Sequence, residues 1–490
     1  MTRRALAFWL LVGALAGVTH LRGLGAAALW QDEAETAVLA RNVLRFGLPR
    51  VDDGVNFISQ NQGRDHDPRG LWNYTPWLAL YLAAGSFGVL GESAFAARLP
   101  FALCALGALF FVYRLSRRWS GSAAVARVAL GFTLASVPWL LHARQCRWYG
   151  LAAFLSLYLW WSYEEFLDRS SRSRLHLIAA SVALFHANFL IFLAVAGGVA
   201  LHFLAAEAPR RPVANADARA ALALFFALTP GIVYFRVVSR AGGAGGVPVS
   251  RWENLRELAW GLDGHVFPLL GLAVVCALAR RSPRLRRPLA LFLGGAAILA
   301  AGPHFFFRYL VVFIPLAAHL AAEAAAGLWS PRSALGAAWA GALLGTNLLS
   351  VGFWLGLRPF LRPEPAGFLA ELSRPPRDPV LAAAALMGKD AKPGDLALVS
   401  YPDLSFMFHT PLGVIGGGSG KRPVRADRVA WIVVRSPDEK AGFPVDWSRY
   451  EAVTLDAPNG PWGNRPEPDF HAFRTRTDLP PAVIYRRKAS

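Results

Sequence analysis

Three carboxylates stand together at Asp32, Glu33 and Glu35, in Trp30-Gln31-Asp32-Glu33-Ala34-Glu35-Thr36, directly after the first apolar stretch of the chain. Charges near hydrocarbon lose hydration, so acids there carry a cost that needs a return. Carboxylates can accept protons in catalysis or cap a helix. The capping reading is direct: Asp32 with Glu35 makes D-x-x-E, close to a capping box, with Glu35 as the capping partner. The helix would run to Gly47, a fitting terminator ahead of Pro49. A second set of candidates is cationic: Arg144, Arg147 and Arg308. Arginine grips phosphate through paired hydrogen bonds, so guanidinium groups at a lipid boundary suit a phosphate headgroup. Snorkelling, or pairing with loop acids, would also account for each one singly.

The elements that must position these groups are membrane spans. Of 490 residues, 54% are hydrophobic and 17% charged, and apolar runs of about 20 residues recur, long enough to cross a bilayer. The net charge of +19 is almost all arginine, with no lysine before Lys389, and its placement argues for topology rather than nucleic acid. Arg3-Arg4, Arg114–Arg118, Arg169–Arg174, Arg210-Arg211, Arg280–Arg287 and Arg332 recur between pairs of apolar runs. The positive-inside rule places all of them in the cytoplasm. Runs are expected at 5–25, 96–113, 123–142, 148–167, 175–190, 192–206, 219–238, 265–279, 288–302, 306–323 and 334–356, about eleven spans in all. The N-terminus is then inside and the C-terminus outside. Thr75–Leu90 is apolar but short, and reads as an interfacial or re-entrant helix. The small residues Ala26–Ala28 fit a cleavable signal peptide, but the many similar runs favour a retained first helix.

After residue 357 the composition changes. Residues 358–379 are rich in Pro and Arg and read as a linker. Residues 380–490 read as a small soluble α/β domain on the outer face. Pro379–Lys389 would be a helix, Lys392-Pro393-Gly394-Asp395 a turn, and Leu396–Ser400, Val429–Val434 and Ala482–Tyr485 strands. Residues 1–357 form the transmembrane domain, with outer loop 30–92 carrying the acids.

This topology gathers the polar residues on one side. Besides the acids and arginines, it places Arg64, His66, Tyr74, Tyr149, His304 and Tyr309 there. His66 lies in Asp65-His66-Asp67, but adjacent residues rarely converge on one ion, so a solvated turn is the better reading and no metal site is assigned. Cys104, Cys146 and Cys276 match neither a metal spacing nor a disulfide framework.

An ordered set of motifs runs through residues 1–325: Asp32-Glu33 after the first helix, Asn73-Tyr74-Thr75-Pro76-Trp77, Gly91-Glu92-Ser93-Ala94-Phe95-Ala96-Ala97-Arg98-Leu99-Pro100, Arg144–Tyr149 and Arg308-Tyr309. It resembles the GT-C class of membrane glycosyltransferases, above all the protein O-mannosyltransferases and the bacterial transferases that add aminoarabinose to lipid A. The resemblance implies a sugar donor carried on a polyprenyl phosphate and an inverting attack by an acceptor protein or glycolipid. It implies a bacterial inner membrane, with the C-terminal domain in the periplasm. Asp32 matches the catalytic acid of such enzymes and would be the general base. Successive helical residues point about 100° apart, so Glu33 would orient a loop or the acceptor. Arg144, Arg147 and Arg308 would hold the donor phosphate. Arg64, His66, Tyr74, Tyr149, His304 and Tyr309 would be acceptor or loop contacts. No cofactor is required, a divalent ion is left open, and nucleic acid is not a partner. The rival readings are a lipid or sugar transporter and a non-catalytic assembly subunit.

Overall fold

Apolar runs bounded by Gly, Pro and basic turns fold here as helices, and the computed structural model describes them over residues 3–59, 63–170, 172–210, 214–241, 250–266, 283–302, 305–328, 364–416, 428–436, 439–440 and 445–488. Along the chain come α1 (Arg3–Leu21), α2 (Gln31–Phe46), α3 (Leu78–Leu90), α4 (Ala94–Ser120), α5 (Ala123–Ala135), α6 (Val137–Ala143), α7 (Trp148–Leu167), α8 (Ser173–Ala187), α9 (Phe189–His202) and α10 (Asn215–Tyr234). They are followed by α11 (Val237–Ala241), α12 (Arg251–Gly261), α13 (Pro283–Ala301), α14 (Phe307–Leu310), α15 (Ile314–Leu328), α16 (Glu364–Ser373), α17 (Pro379–Asp390) and α18 (Asp403–His409). The chain divides into two compact units, one of residues 1–20 and 101–368, the other of residues 21–100 and 369–490.

The first unit is helical. Among the described residues, Ala94–Ser120, Phe189–Arg210, Asn215–Tyr234 and Phe307–Ala326 are long and apolar enough to cross a bilayer. The chain is a multi-pass membrane protein, but the expected count of eleven spans is not reached among the described residues. The run expected at 123–142 is two helices, α5 and α6, bent by 66° at Ser136. The cause is Pro138: it has no N–H for the residue 134 carbonyl and its ring crowds that carbonyl, so it is accommodated in the first turn of a new helix, with Ser136 extended at φ −73°, ψ 107° as the N-cap. Residues 267–279 of the run expected at 265–279, and the run expected at 334–356, lie outside the described residues.

Helices of this unit are tied by a buried acid. Glu164 on α7 is 2% exposed and accepts from the Trp119 indole at 2.9 Å, the Arg118 Nε at 3.3 Å and an Arg287 Nη at 2.7 Å. One carboxylate thereby joins α4, α7 and α13, with its charge compensated twice. α7 also runs close to α4. A Cβ on Gly150 would sit 2.5 Å from the Phe101 carbonyl oxygen and 2.9 Å from that of Ala143. Both neighbours are backbone, so neither can swing aside. Gly150→Ala should lower stability by about 1–3 kcal/mol, the usual range for overpacking. Thermal unfolding in detergent would measure it, and an unchanged midpoint would show that the two helices can part.

The second unit holds a five-stranded sheet: β1 (Leu396–Val399), β2 (Gly413–Gly416), β3 (Val429–Val433), β4 (Tyr450–Pro458) and β5 (Pro481–Arg487), in spatial order β2-β1-β3-β5-β4. β1 pairs in parallel with β2 and β3, with Leu398 opposite Ile415 on one side and Ile432 on the other. Parallel neighbours need a crossover, and α18 supplies it between β1 and β2. β3 is buried along its whole length, as its unbroken apolar run Val429-Ala430-Trp431-Ile432-Val433 requires of a central strand. β5 and β4 close the other side as antiparallel strands. Leu398, Val429, Ile432, Val434 and Tyr450 form the core of the sheet, with the Tyr450 hydroxyl donating to the Val429 carbonyl at 3.0 Å. The segment expected as a linker, 358–379, is helical over Glu364–Ser373, where Glu364 and Pro365 make an ordinary helix entry.

Candidate active site

The acidic stretch opens α2 in the second unit. Its N-cap is Trp30, not Asp32, in extended backbone at φ −72°, ψ 172°. The acid that reaches back is Glu33, whose Oε2 accepts from the Trp30 N–H at 3.3 Å, so Glu33 rather than Glu35 is the capping partner. The helix starts two residues earlier than Asp32 as cap would place it, and that moves the third helical position from Glu35 to Glu33. Gly47 ends the helix in the left-handed region at φ 74°, as its type permits.

The three acids have different surroundings. Glu33 is fully buried, and Arg98 grips both its oxygens, Nε to Oε1 at 2.7 Å and Nη2 to Oε2 at 2.6 Å. Arg98 also donates to the carbonyls of Leu24 and Ala27, each at 2.9 Å, and of Ala28 at 2.8 Å. One guanidinium thus fixes the chain entering α2 as well as the acid on it. Glu35 is buried at 4% exposure. Asp32 is half-buried, and it alone of the three retains an appreciable exposed surface. It sits in the first helical turn, where the helix dipole favours its charge.

The sheet-bearing segment supplies the rest of this surround. Asp378 Oδ2 accepts from the Ala28 N–H at 2.8 Å, and His409 Nε2 from the Leu29 N–H at 3.1 Å. Ser405 donates to the Leu29 carbonyl. Gln31 Nε2 donates to Asp403 Oδ1 at 2.7 Å, and its oxygen accepts from the Leu404 N–H at 3.3 Å. Burial pushes the carboxyls of Asp378 and Asp403 above the ordinary range. Tyr401 lies within electrostatic reach of Asp32 and hydrogen-bonds with Arg465. The guanidinium carbons of Arg435 and Arg465 stand 4.9 and 5.9 Å from its ring centre. Burial raises the Tyr401 phenol, against the pull of Arg465.

Burial, with the Arg98 charge adding to it, holds the His409 imidazole down to about 4. Nε2 accepts a hydrogen bond, so the folded state favours the neutral ring. Its stabilisation is fully present above the unfolded value of 6.5 and is lost as pH falls from there toward about 4. Melting of the wild type relative to His409→Gln should therefore fall over that window, by an amount on the order of 2–4 kcal/mol. The glutamine oxygen can accept the same N–H, and the difference between the two proteins removes the opposing contributions of Asp378 and Asp403. A pH-independent difference between the two proteins would refute this role for the ring.

The loop 48–75 is held by its own polar groups. Asp67 accepts from Arg69 Nε and Nη2 at 3.0 and 2.9 Å and from the N–H groups of Arg69 and Leu71. His66 Nδ1 pairs with the Asp67 carbonyl at 2.9 Å, and its ring meets Phe57 edge-on at 5.7 Å. Tyr74 is exposed and lies against Trp72 at 6.0 Å. Arg64 lies in the same loop. Among the described residues no group of three or more His, Cys, Asp or Glu is placed to hold a metal ion.

The cationic candidates belong to the first unit. Arg144 ends α6, is 9% exposed, and lies with its guanidinium 5.5 Å from the Phe368 ring centre. Arg147 precedes α7 in extended backbone at φ −149°, ψ 166°. Arg308, in α14, lies over the Phe306 ring at 4.6 Å. Two ring contacts bring the segments 142–149 and 305–310 together: Trp148 stacks on Tyr309 at 6.1 Å, and His142 meets Phe307 at 5.9 Å. Tyr149 is fully buried, with His142 and Trp148 against its ring at 5.1 and 4.5 Å. His265 joins the same cluster through Phe307 at 5.4 Å, with Glu364 3.6 Å from its Nδ1. His304 lies outside the described residues.

Sequence reasoning overlooked Arg98, Gln31, Asp403, His409, Tyr401 and Arg465. Arg98 had a signal, being an arginine inside the quoted motif at a helix start, but its partner lies 65 residues away.

No protein-family model matches the sequence, and neither does any curated protein. Solved structures do match. The crystal structure of ArnT from Cupriavidus metallidurans in the apo state aligns over 98% of both chains at 15% identity, with a TM-score of 0.66. The same protein bound to undecaprenyl phosphate aligns over 98% of both chains at 16% identity and 0.60. The archaeal oligosaccharyltransferase AglB from Archaeoglobus fulgidus, in complex with an inhibitory peptide and a dolichol-phosphate, aligns over 88% of this chain and 69% of its own at 13% identity and 0.50. At these identities the likeness is one of fold, and the fold is that of the GT-C membrane glycosyltransferases.

Proposed function

We propose that the chain is an integral membrane glycosyltransferase that moves a sugar from a polyprenyl-phosphate carrier to an acceptor hydroxyl or amine of an envelope protein or glycolipid, with inversion. The observation that carries this reading is the contrast among the acids of α2. Glu33 is committed to Arg98, Glu35 is buried, and Asp32 keeps exposed surface at the helix start. A base needs such access to the attacking atom. Binding of undecaprenyl phosphate by a protein of the same fold supports a lipid-carried donor.

In this reading Asp32 takes the proton of the acceptor as it attacks the anomeric carbon. The bond from that carbon to the phosphate oxygen breaks, and the carrier leaves as a lipid phosphate. Arg144, Arg147 and Arg308 compensate the charge that grows there, because cations aimed at a leaving group stabilise it most as the bond breaks. Tyr401 and Arg465 are the acceptor contacts on the side of Asp32. Arg64, His66, Tyr74, Tyr149, His304 and Tyr309 remain as acceptor or loop candidates. The N-terminus is cytoplasmic, and the domain of residues 380–490 lies on the outer face of the bacterial inner membrane, with acids and donor on that side.

The test is transfer itself. Purified protein in nanodiscs receives radiolabelled polyprenyl-phosphate sugars with a delipidated envelope extract as acceptor. Label should pass to the extract, and the labelled fraction then identifies the acceptor class. Label that only crosses the bilayer, with none transferred, would support transport instead. Arg147→Ala should weaken donor binding about tenfold or more, since a charge-assisted phosphate contact is worth about 1.5–3 kcal/mol. Unchanged donor affinity in that variant would take Arg147 out of the site.

A further inference from the structure

An open pocket of about 510 Å³ lies in the first unit among α4, α7 and α8. Its wall is aromatic, formed by Phe110, Phe111, Tyr158 and Trp161. Its cations are Arg114 on α4 and Arg172 just before α8. α4 has 27 residues and so extends about 40 Å, beyond the roughly 30 Å of a hydrocarbon core. Its apolar run ends at Tyr113, so Arg114 opens the basic end that takes headgroup depth, while Phe110 and Phe111 lie one turn back in the apolar run. The pocket has an apolar end and a cationic end in the order in which a leaflet presents acyl chain and headgroup.

The charges are not cancelled locally. The acid in the pocket, Glu165, is engaged by Arg118 Nη1 at 2.8 Å. Arg118 further binds Glu164 and Asp168. Arg174 nearby is paired with Asp217 at 2.7 Å. Among the described residues neither Arg114 nor Arg172 has an acid partner. Arg114 instead lies over Trp161 and Phe110, with its guanidinium carbon 4.9 and 5.9 Å from the ring centres. Stacking of this kind orients a guanidinium while leaving its in-plane donors available for an anion. It also covers the Trp161 face that a quaternary ammonium would need, so the pocket disfavours a cationic headgroup. Tyr158 and His176 are joined at 2.5 Å, which adds a polar edge at the same level.

We propose that this pocket is a binding site for an anionic phospholipid, with the phosphate on Arg114 and Arg172 and an acyl chain along Phe110, Phe111 and Trp161. None of the acids and arginines assigned to transfer lines it, and the proposal does not depend on that activity.

Native mass spectrometry of the full chain, delipidated in detergent, would test it with three probes: phosphatidylglycerol, phosphatidylcholine of the same chains, and glycerol 3-phosphate. Phosphatidylglycerol should bind at one site about tenfold more tightly than phosphatidylcholine, and the Arg114→Gln/Arg172→Gln double variant should lose that preference. Arg117→Gln, which changes the same helix turn outside the pocket, should keep it. Equal loss in Arg117→Gln would overturn the proposal, because general surface charge would then account for binding. So would unchanged affinity in the double variant, or equal binding of both lipids. Displacement of the lipid by millimolar glycerol 3-phosphate would assign the cations to free phosphate instead and overturn the lipid. Both glutamine changes are at exposed positions, and an unchanged melting temperature in detergent would exclude unfolding.

Discussion

Asp32→Asn is expected to keep the fold and lower sugar transfer by about 10²–10⁴-fold, the range that a positioned general base contributes. Asparagine matches aspartate in shape and remains compatible with the first turn of α2. Loss of one charge near a helix N-terminus costs about 0.3–1 kcal/mol, too little to unfold the unit. The carboxylate that supports the helix entry is Glu33, through its contacts with Trp30 and Arg98, and Asp32→Asn leaves those intact. The measurement is the initial rate of label transfer at saturating donor, with donor affinity determined in parallel. A rate within tenfold of wild type would remove Asp32 as the base. A large fall in rate with donor affinity unchanged would place its action in the chemical step.

Arg98→Met is expected to have the largest effect on stability. It leaves Glu33 as a buried carboxylate without its cation, a change that costs about 3–5 kcal/mol when one partner of a buried pair is removed. It also strips hydrogen bonds from the carbonyls of Leu24, Ala27 and Ala28. Glu33→Gln in the same chain should recover part of the loss by removing the stranded charge, but not the part owed to the carbonyls. Thermal unfolding of the two variants separates these contributions. If Arg98→Met alone melted like wild type, the ion pair would be dispensable, and the entry to α2 would be held by Asp378, Ser405 and His409 instead.

The helix that carries Asp32 was legible because its end is marked by Gly47 and its start by acids. The identity of the capping acid was not, since a two-residue change of start exchanges Glu35 for Glu33. Strands β3 and β5 stood out by their β-branched content, and β1 as the apolar run after the turn Lys392–Asp395. β2 did not, being four residues with a glycine at each end, and β4 did not, because Glu451, Thr454 and Asp456 interrupt its apolar pattern. The break at Ser136 had a visible cause in Pro138, but the length and hydropathy of 123–142 masked it. Arg144, Arg147 and Arg308 were found by the side of the membrane they were read onto. Arg98, Asp403 and Tyr401 were not, because their importance lies in contacts distant in sequence, and periodicity carries no information about those.

That distance has a consequence for biosynthesis. Gln31 and Asp403, which meet beside the candidate base, are separated by 372 residues. At about 5–20 residues per second, a ribosome needs roughly 20 to 75 s to travel from one to the other. Through that interval the N-terminus of α2 lacks its partners in Asp378, Asp403, Ser405 and His409, although Arg98 is already made. A nascent or C-terminally truncated chain therefore carries Asp32 on a helix that lacks these four contacts, and the finished geometry is assembled only when the last quarter of the protein has been delivered to the same side.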